Sequence, residues 1–268
     1  MAGRTWLKRF EARSLKETVR HRDLRSSHGS YGTDEATMND LKEKLIIAGK
    51  ILDREGLARP MGHISVRIPG TDTFLITRSI APGMATEDDI VVCNLDGNVI
   101  EGKYPKTFGE VMAHVAVYKK RKDIQSVAHT HSLYVVALSM TDTPLLPVSI
   151  EALKLGYDPI GFYKRMIHLE KLETGEEVAE LIGTNKVVIL KGHGAVVVGK
   201  SIEEATVSCT ELEKAAKLQV IATSTGKLKV MTESEIEPVI TFLKKMDAQG
   251  GTASPYGRTW EYYKSQLK

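Results

Sequence analysis

Cysteine is nearly absent from this chain of 268 residues: the only two, Cys93 and Cys209, lie far apart and outside any C-x-x-C spacing. A disulfide-built scaffold, a thiolate zinc cluster and a dithiol redox centre are thereby excluded, and both thiols read as small core residues. Aromatic residues are few, at 6%, and no uninterrupted apolar run reaches the roughly 18 residues that a membrane span needs. The opening MAGRTWLKRFEARSLKETVR carries charges where a secretory leader needs its apolar stretch, so a cytoplasmic protein with no membrane attachment is expected. A strong charge of one sign is missing too. Net charge is +3, but residues 1–33 hold eight Lys/Arg against three acids, a local +5 that leaves the remainder at −2. A basic arm suits nucleic acid, yet aromatic interleaving is sparse and no recognition motif follows, so no nucleic-acid partner is expected.

What is present is ordinary globular composition, 42% hydrophobic and 26% charged. The stretch SSHGSYGTDEAT reads as a linker, giving a basic arm and linker over 1–36, a catalytic domain over 37–230 and a C-terminal helix with an aromatic tail over 231–268. Leu41, Leu45, Ile46, Ala48 and Leu52 fall at helical spacing, with Gly56 placed to stop the helix. HISVRI, TFLIT and DIVVCNL follow as short strands separated by turn-forming clusters. Glu110 to Arg121 reads as helix, SVAHTHS as a strand end, EKLETGEEVAELIG and NKVVILKGHGAVVVGK as helix then strands, and Ile202 to about Thr223 as a long helix. One α/β domain, a central sheet covered by helices, accounts for this order.

Three of the eight histidines stand where strands run out into loops: His129 and His131 in AHTHS, and His193 in KGHGA. On a strand, residues i and i+2 share a face, so H-x-H aims two imidazoles at one point without special backbone geometry. Zinc takes such nitrogens at about 2.0–2.1 Å, and a catalytic site supplies three protein ligands and leaves one position open. His193 is a candidate for the third, its flanking glycines permitting close approach of another segment. A lone H-x-H more often marks imidazoles making ordinary hydrogen bonds; the wider constellation is what points to a metal. Glu110 and His114 sit four residues apart at a helix start, on one face. The acid is either a first-turn carboxylate favoured by the helix dipole or part of the site, and His114 a buried partner that orients a neighbour.

With these residues in view, the chain resembles a class II aldolase/adducin-type domain over roughly residues 38–225. That family includes fuculose-phosphate and rhamnulose-phosphate aldolases, ribulose-phosphate 4-epimerases and methylthioribulose-phosphate dehydratase. The carrying pieces are GHISVRI, FLITRSIAP, TEDDIVVCNLDGN, GEVMAH, SVAHTHS and KGHGAVVVGKSIEEA. The resemblance implies a three-layer α/β/α domain with a mainly antiparallel sheet, assembled as a homotetramer with active sites between neighbouring subunits. It also implies metal ligands His129, His131 and His193, with Glu110 as a fourth ligand of the resting ion and as the catalytic proton-transfer group. The ion would be divalent, zinc first, with Mn, Fe, Co and Ni also suited to imidazole. The activity implied is carbon–carbon cleavage, retro-aldol or decarboxylating, through a metal-held enediolate-type intermediate.

The sequence departs from the sugar-phosphate members where these hold phosphate. Their Asn in the loop matching GHIS, Thr-Gly in the loop matching TRSIAP and Ser-Ser before the acid are here His63, Ser79 with Ile80, and Phe108 with Gly109. Donors are lost and apolar walls gained, so the expected substrate is a small hydroxylated keto or carboxylate compound without phosphate. His63, Arg67, Arg78 and Ser79 are its candidate contacts. GHISVR, TRSIAP and the closing RTWEYYK resemble the family branch that decarboxylates dihydroxylated aromatic acids. Tyr256, Trp260, Tyr262 and Tyr263 form a dense aromatic cluster read as a docking patch. Since Ser149 or Ile150 stands at the family's usual mid-chain aromatic position, Tyr134 and Tyr262 are the remaining proton-donor candidates. A sugar-phosphate aldolase or 4-epimerase is the alternative reading, followed by an iron oxygenase and a non-catalytic adducin-like scaffold.

Overall fold

A computed structural model describes residues 34–156 and 158–267, so the basic arm read over 1–33 lies outside the described residues. Helix α1 (Glu35–Arg54) starts inside the stretch read as linker, because the Asp34 carboxylate accepts the Thr37 N–H at 2.8 Å and caps the helix there. Four strands follow: β1 (His63–Arg67), β2 (Thr73–Thr77), β3 (Ile90–Asn94) and β4 (Val99–Gly102). Helix α2 (Val111–Lys120), strand β5 (Ser126–Thr130), short helices α3 (Leu133–Ser139) and α4 (Ile150–Lys154) and strand β6 (Gly161–Tyr163) come next. Helix α5 (Leu172–Ile182), strands β7 (Val187–Leu190) and β8 (Gly194–Gly199), and helices α6 (Ile202–Thr225), α7 (Glu233–Gln249) and α8 (Pro255–Ser265) complete the described chain. Residues 231–268 thus carry two helices where the sequence reading placed one.

The eight strands form one sheet in the order β4-β3-β2-β1-β5-β8-β7-β6, antiparallel except for the β6–β7 pair. Strand alternation splits the core in two. Ile64, Val66, Ala128, Ala195 and Val197 pack against α1 and α6; Val127, Val196, Val198, Phe74 and Ile76 pack against α2 and α5. This is the three-layer α/β/α arrangement, with a mainly antiparallel sheet, that the sequence led us to expect. Three residues of the C-terminal cluster dock on the chain's own body: Trp260 and Tyr263 are core residues, and Tyr256 donates to the Lys154 carbonyl at 2.9 Å. Tyr262 stays 61% exposed.

One seam in the α2-side layer is polar. His63, Ser65 and Arg67 project from β1 onto that side, where His114 and Tyr118 of α2 meet them. His63 Nδ1 lies 2.9 Å from His114 Nε2, and Ser65 Oγ lies 2.7 Å from His114 Nδ1 and 2.8 Å from the Tyr118 hydroxyl. Burial pushes the His114 pKa down to about 3, with the neighbouring His129 acting in the same direction.

Backbone contact between β5 and β8 leaves no room for a side chain at Gly194. With φ +156°, a Cβ there would sit inside the Thr130 carbonyl. Gly194→Ala is therefore expected to cost at least about 3 kcal/mol, read as a drop of roughly 6–12 °C in melting temperature. Gly56→Ala, where φ is also positive but nothing lies within 4 Å, is the milder control. His114 gives a second expectation. The unfolded chain protonates this imidazole below about pH 6.5 while the folded chain holds it neutral until about pH 3, so stability present above pH 6.5 is lost on acidification. Chemical denaturation of chelator-treated protein should show a loss on the order of 3 kcal/mol from this group between pH 6.5 and 4. His114→Gln should flatten that slope.

Candidate metal centre

Sheet pairing assembles the centre. His129 ends the α2-facing side of β5, directly opposite His63 of β1 in the β-ladder. His131, just past the strand, is pinned by its own backbone N–H donating to the Leu57 carbonyl at 2.8 Å. His193 follows the β7 turn, where its N–H donates to the Leu190 carbonyl at 3.1 Å and Gly192, at φ +63°, donates to Ser139 Oγ at 2.9 Å. The close β5–β8 approach at Gly194 then carries His193 against the H-x-H pair. Ring centroids are 4.7 Å apart for His129–His131, 4.8 Å for His129–His193 and 4.9 Å for His131–His193. Glu110 occupies the position preceding α2, with Oε2 3.3 Å from His129 Nε2 and Oε1 3.6 Å from His193 Nε2. Ligand atoms of all four residues lie within 4.8 Å of one another.

The residues fit a divalent metal on their own chemistry. His129 Nδ1 donates to the Ala195 carbonyl at 3.0 Å, which leaves Nε2 as the unprotonated nitrogen facing the centre. His129 Nε2 and His131 Nε2 are buried without a hydrogen bond among the described residues, a state that ordinarily costs about 1–3 kcal/mol per group and that a metal ion relieves. Protonation states agree. Burial first, then the neighbouring imidazoles His129 and His193, push His131 down to about 4, and burial likewise lowers His193. Burial alone would raise Glu110, but positive charge on His129 or His193, when either is protonated, and the Leu169 N–H act the other way and hold the carboxyl below its usual range. Neutral imidazoles and an ionised carboxylate are the binding forms at neutral pH. Three nitrogens and one oxygen suit zinc and its first-row neighbours alike.

The structure brings His63 to this centre, its ring centroid 5.4 Å from His129 and 4.3 Å from the buried Phe108. Arg67 is engaged elsewhere: only 6% exposed, it donates from Nε to the Ile124 carbonyl at 3.2 Å and from Nη2 to the Tyr118 carbonyl at 2.8 Å. Arg78 pairs with Asp89 at 2.7 Å and lies over the Tyr104 ring. Ser79 is exposed in the loop after β2. Tyr134 opens α3 just beyond His131, its backbone N–H held by Glu213 at 3.0 Å, and Tyr262 stands on α8 with its ring against Tyr263.

Three contributors escaped the sequence reading. Leu169 donates its N–H to Glu110 Oε1 at 3.1 Å and fixes the acid from a loop 59 residues away. His168 stacks 6.3 Å from His193. Arg59, exposed and held at φ +49° in the segment Gly56–Gly62, bears on His131 with its positive charge. Only the left-handed conformation marks Arg59 out, and nothing in its sequence context signals it.

Comparison with known proteins agrees with this geometry. The class II aldolase and adducin N-terminal domain family matches residues 43–220. An L-fuculose phosphate aldolase of Methanococcus maripaludis is 33% identical over 189 residues, covering 68% of this chain and 97% of that protein. A 3,4-dihydroxyphthalate decarboxylase of Arthrobacter keyseri is 29% identical over 211 residues, covering 73% and 84%. The solved L-fuculose 1-phosphate aldolase of Glaciozyma antarctica superposes with a TM-score of 0.75 at 26% identity, over 90% of this chain and 96% of that one. This chain therefore belongs to the class II aldolase and adducin N-terminal domain family and, with a cluster of side chains that could hold a metal ion, is a metal-dependent lyase of the aldolase or decarboxylase type.

Proposed function

We propose that this lyase cleaves a carbon–carbon bond in a small hydroxylated carboxylate or keto compound that carries no phosphate, a dihydroxylated aromatic acid being the favoured class. The observation that carries the reading is the His63–Phe108 ring pair, stacked at 4.3 Å beside His129. An apolar wall and one imidazole stand there, where a phosphate cradle needs several small donors. The decarboxylase relative supports the same choice. Zinc as the resident ion, a cytoplasmic location and a homotetramer with sites between subunits belong to this reading. No helix among the described residues is long and apolar enough to cross a membrane.

A divalent ion at the centre supplies a Lewis acid for the negative charge that develops as the bond breaks. The remaining work falls to side chains. Glu110, ionised at rest, takes the proton of a substrate hydroxyl and returns one to the carbon that keeps the electron pair. Leu169 N–H holds Oε1 and leaves Oε2 for that transfer. With Arg67 held by backbone carbonyls and Arg78 paired with Asp89, Arg59 supplies positive charge on the His131 side of the centre, which favours an anionic substrate. The aldolase relatives favour a second reading, cleavage or epimerisation of a sugar phosphate.

Elemental analysis of protein purified without chelators should find near one zinc per chain, absent from His129→Ala; no retained or restorable metal in the wild type would end the lyase reading. Glu110→Gln should keep its metal and lose about 10²–10⁴-fold in kcat, whereas His131→Ala should lose both metal and turnover. Arg59→Ala should raise KM about tenfold or more with a smaller change in kcat. Product mass separates the two readings: released CO₂ from a hydroxylated acid supports the first, and a sugar phosphate preferred by a large margin in kcat/KM supports the second.

A further inference from the structure

We propose that His63 presents an Nε2–H donor to a carboxylate oxygen of the substrate, and that His114, Ser65 and Tyr118 are positioning residues that fix this tautomer. The proposal rests on the hydroxylated-acid reading above for the identity of the acceptor, and on proton counting for the donor.

Tyr118, Ser65, His114 and His63 are all essentially sealed from solvent and form a chain of three links, at 2.8, 2.7 and 2.9 Å. Each group in its neutral form carries one mobile proton, so four protons serve three links and one is left at an end. Both imidazoles are sealed from solvent, and their ring nitrogens meet an imidazole and a hydroxyl and no carboxylate among the described residues, so each is counted in its neutral form. In one direction Tyr118 donates to Ser65, Ser65 to His114 Nδ1, and His114 Nε2–H to His63 Nδ1, which puts the remaining proton on His63 Nε2. Reversed, the Tyr118 proton has no acceptor among the described residues, because the other group bearing on the phenol is a donor, the Val127 N–H. A third pattern would send the Ser65 proton to the Val127 carbonyl, but at 3.5 Å that oxygen is outside the range of a sound O–H···O bond. The first direction therefore prevails, since the one proton it leaves over stands at the unpartnered end of the chain, on His63 Nε2 beside His129.

His63 Nε2 is buried and has no hydrogen-bond partner among the described residues. It faces away from His114, on a ring flanked by Phe108 and the ligand His129. A flat carboxylate conjugated to a ring matches a single donor beside an aromatic wall, whereas a tetrahedral phosphate would leave most of its oxygens unpaired there.

The test uses zinc-reconstituted full-length protein labelled with ¹⁵N-histidine. Wild type should show His63 as the Nε2–H tautomer. Tyr118→Phe should erode that preference and weaken binding of 3,4-dihydroxybenzoate about tenfold at unchanged zinc content. His63→Leu should weaken the acid by as much or more yet leave binding of catechol, which has no carboxylate, unchanged, and His63→Gln, whose amide donates, should recover part of the loss. An Nδ1–H tautomer in the wild type overturns the proposal without any variant, as does equal weakening of acid and catechol in His63→Leu. Absence of carbon–carbon cleavage, with the tautomer and the acid-selective loss as expected, would count against the lyase reading alone.

Discussion

Polar side chains sealed between one strand and one helix must find partners within the protein, and the site is built around meeting that demand. Strand β1 places His63, Ser65 and Arg67 on the helix-facing side at two-residue steps, and Glu110, His114 and Tyr118 recur at four-residue steps along α2. Two residues of strand advance about 6.6 Å and four residues of helix about 6.0 Å, so the two rows keep step. His63 meets His114, Ser65 meets both His114 and Tyr118, and Arg67 lies over the Tyr118 ring. The same register leaves Glu110 at the end of the row beside His129, which β5 brings opposite His63. The acid and the ligand strand are thus set by one packing event.

Close backbone contact completes the arrangement. Gly194 lets β8 lie against the end of β5, and the Leu57 carbonyl holds the His131 backbone from the opposite quarter. Glu213 receives the N–H groups of Tyr134 and Val135 and so fixes the start of α3, immediately after His131. Three candidate ligands from two strand ends are thereby positioned by main chain, and the His129 tautomer by the Ala195 carbonyl. Little side-chain entropy remains to be lost when a metal binds.

What the sequence made legible was whatever repeats at short range. H-x-H states its own geometry, the four-residue spacing of Glu110 and His114 places both on one helical face, and the flanking glycines of His193 announce a tight turn. Alternation in HISVR was legible as a strand but misleading about its surroundings. A polar residue at every second position suggests a face turned to solvent, yet both faces of β1 are buried and Arg67 finds backbone carbonyls instead of substrate. Arg78 likewise serves Asp89, a pairing eleven residues off that no periodicity marks. Contacts made by backbone amides, such as Leu169 on Glu110, carry no residue signature at all. The convergence of Glu110, His129, His131 and His193 was legible in side-chain identity; its supports lie in chain geometry and appear only in the fold.

That last contact has a bearing on how the fold diversifies. Glu110 takes its aim from the Leu169 N–H while the Leu169 side chain is sealed in the core, so apolar residues of like volume at position 169 preserve the bond and proline removes it. Adding or removing a residue between β6 and α5 moves the amide itself. The length of the segment between β6 and α5 thus sets where the acid points, while the histidines, held by other parts of the chain, stay in place.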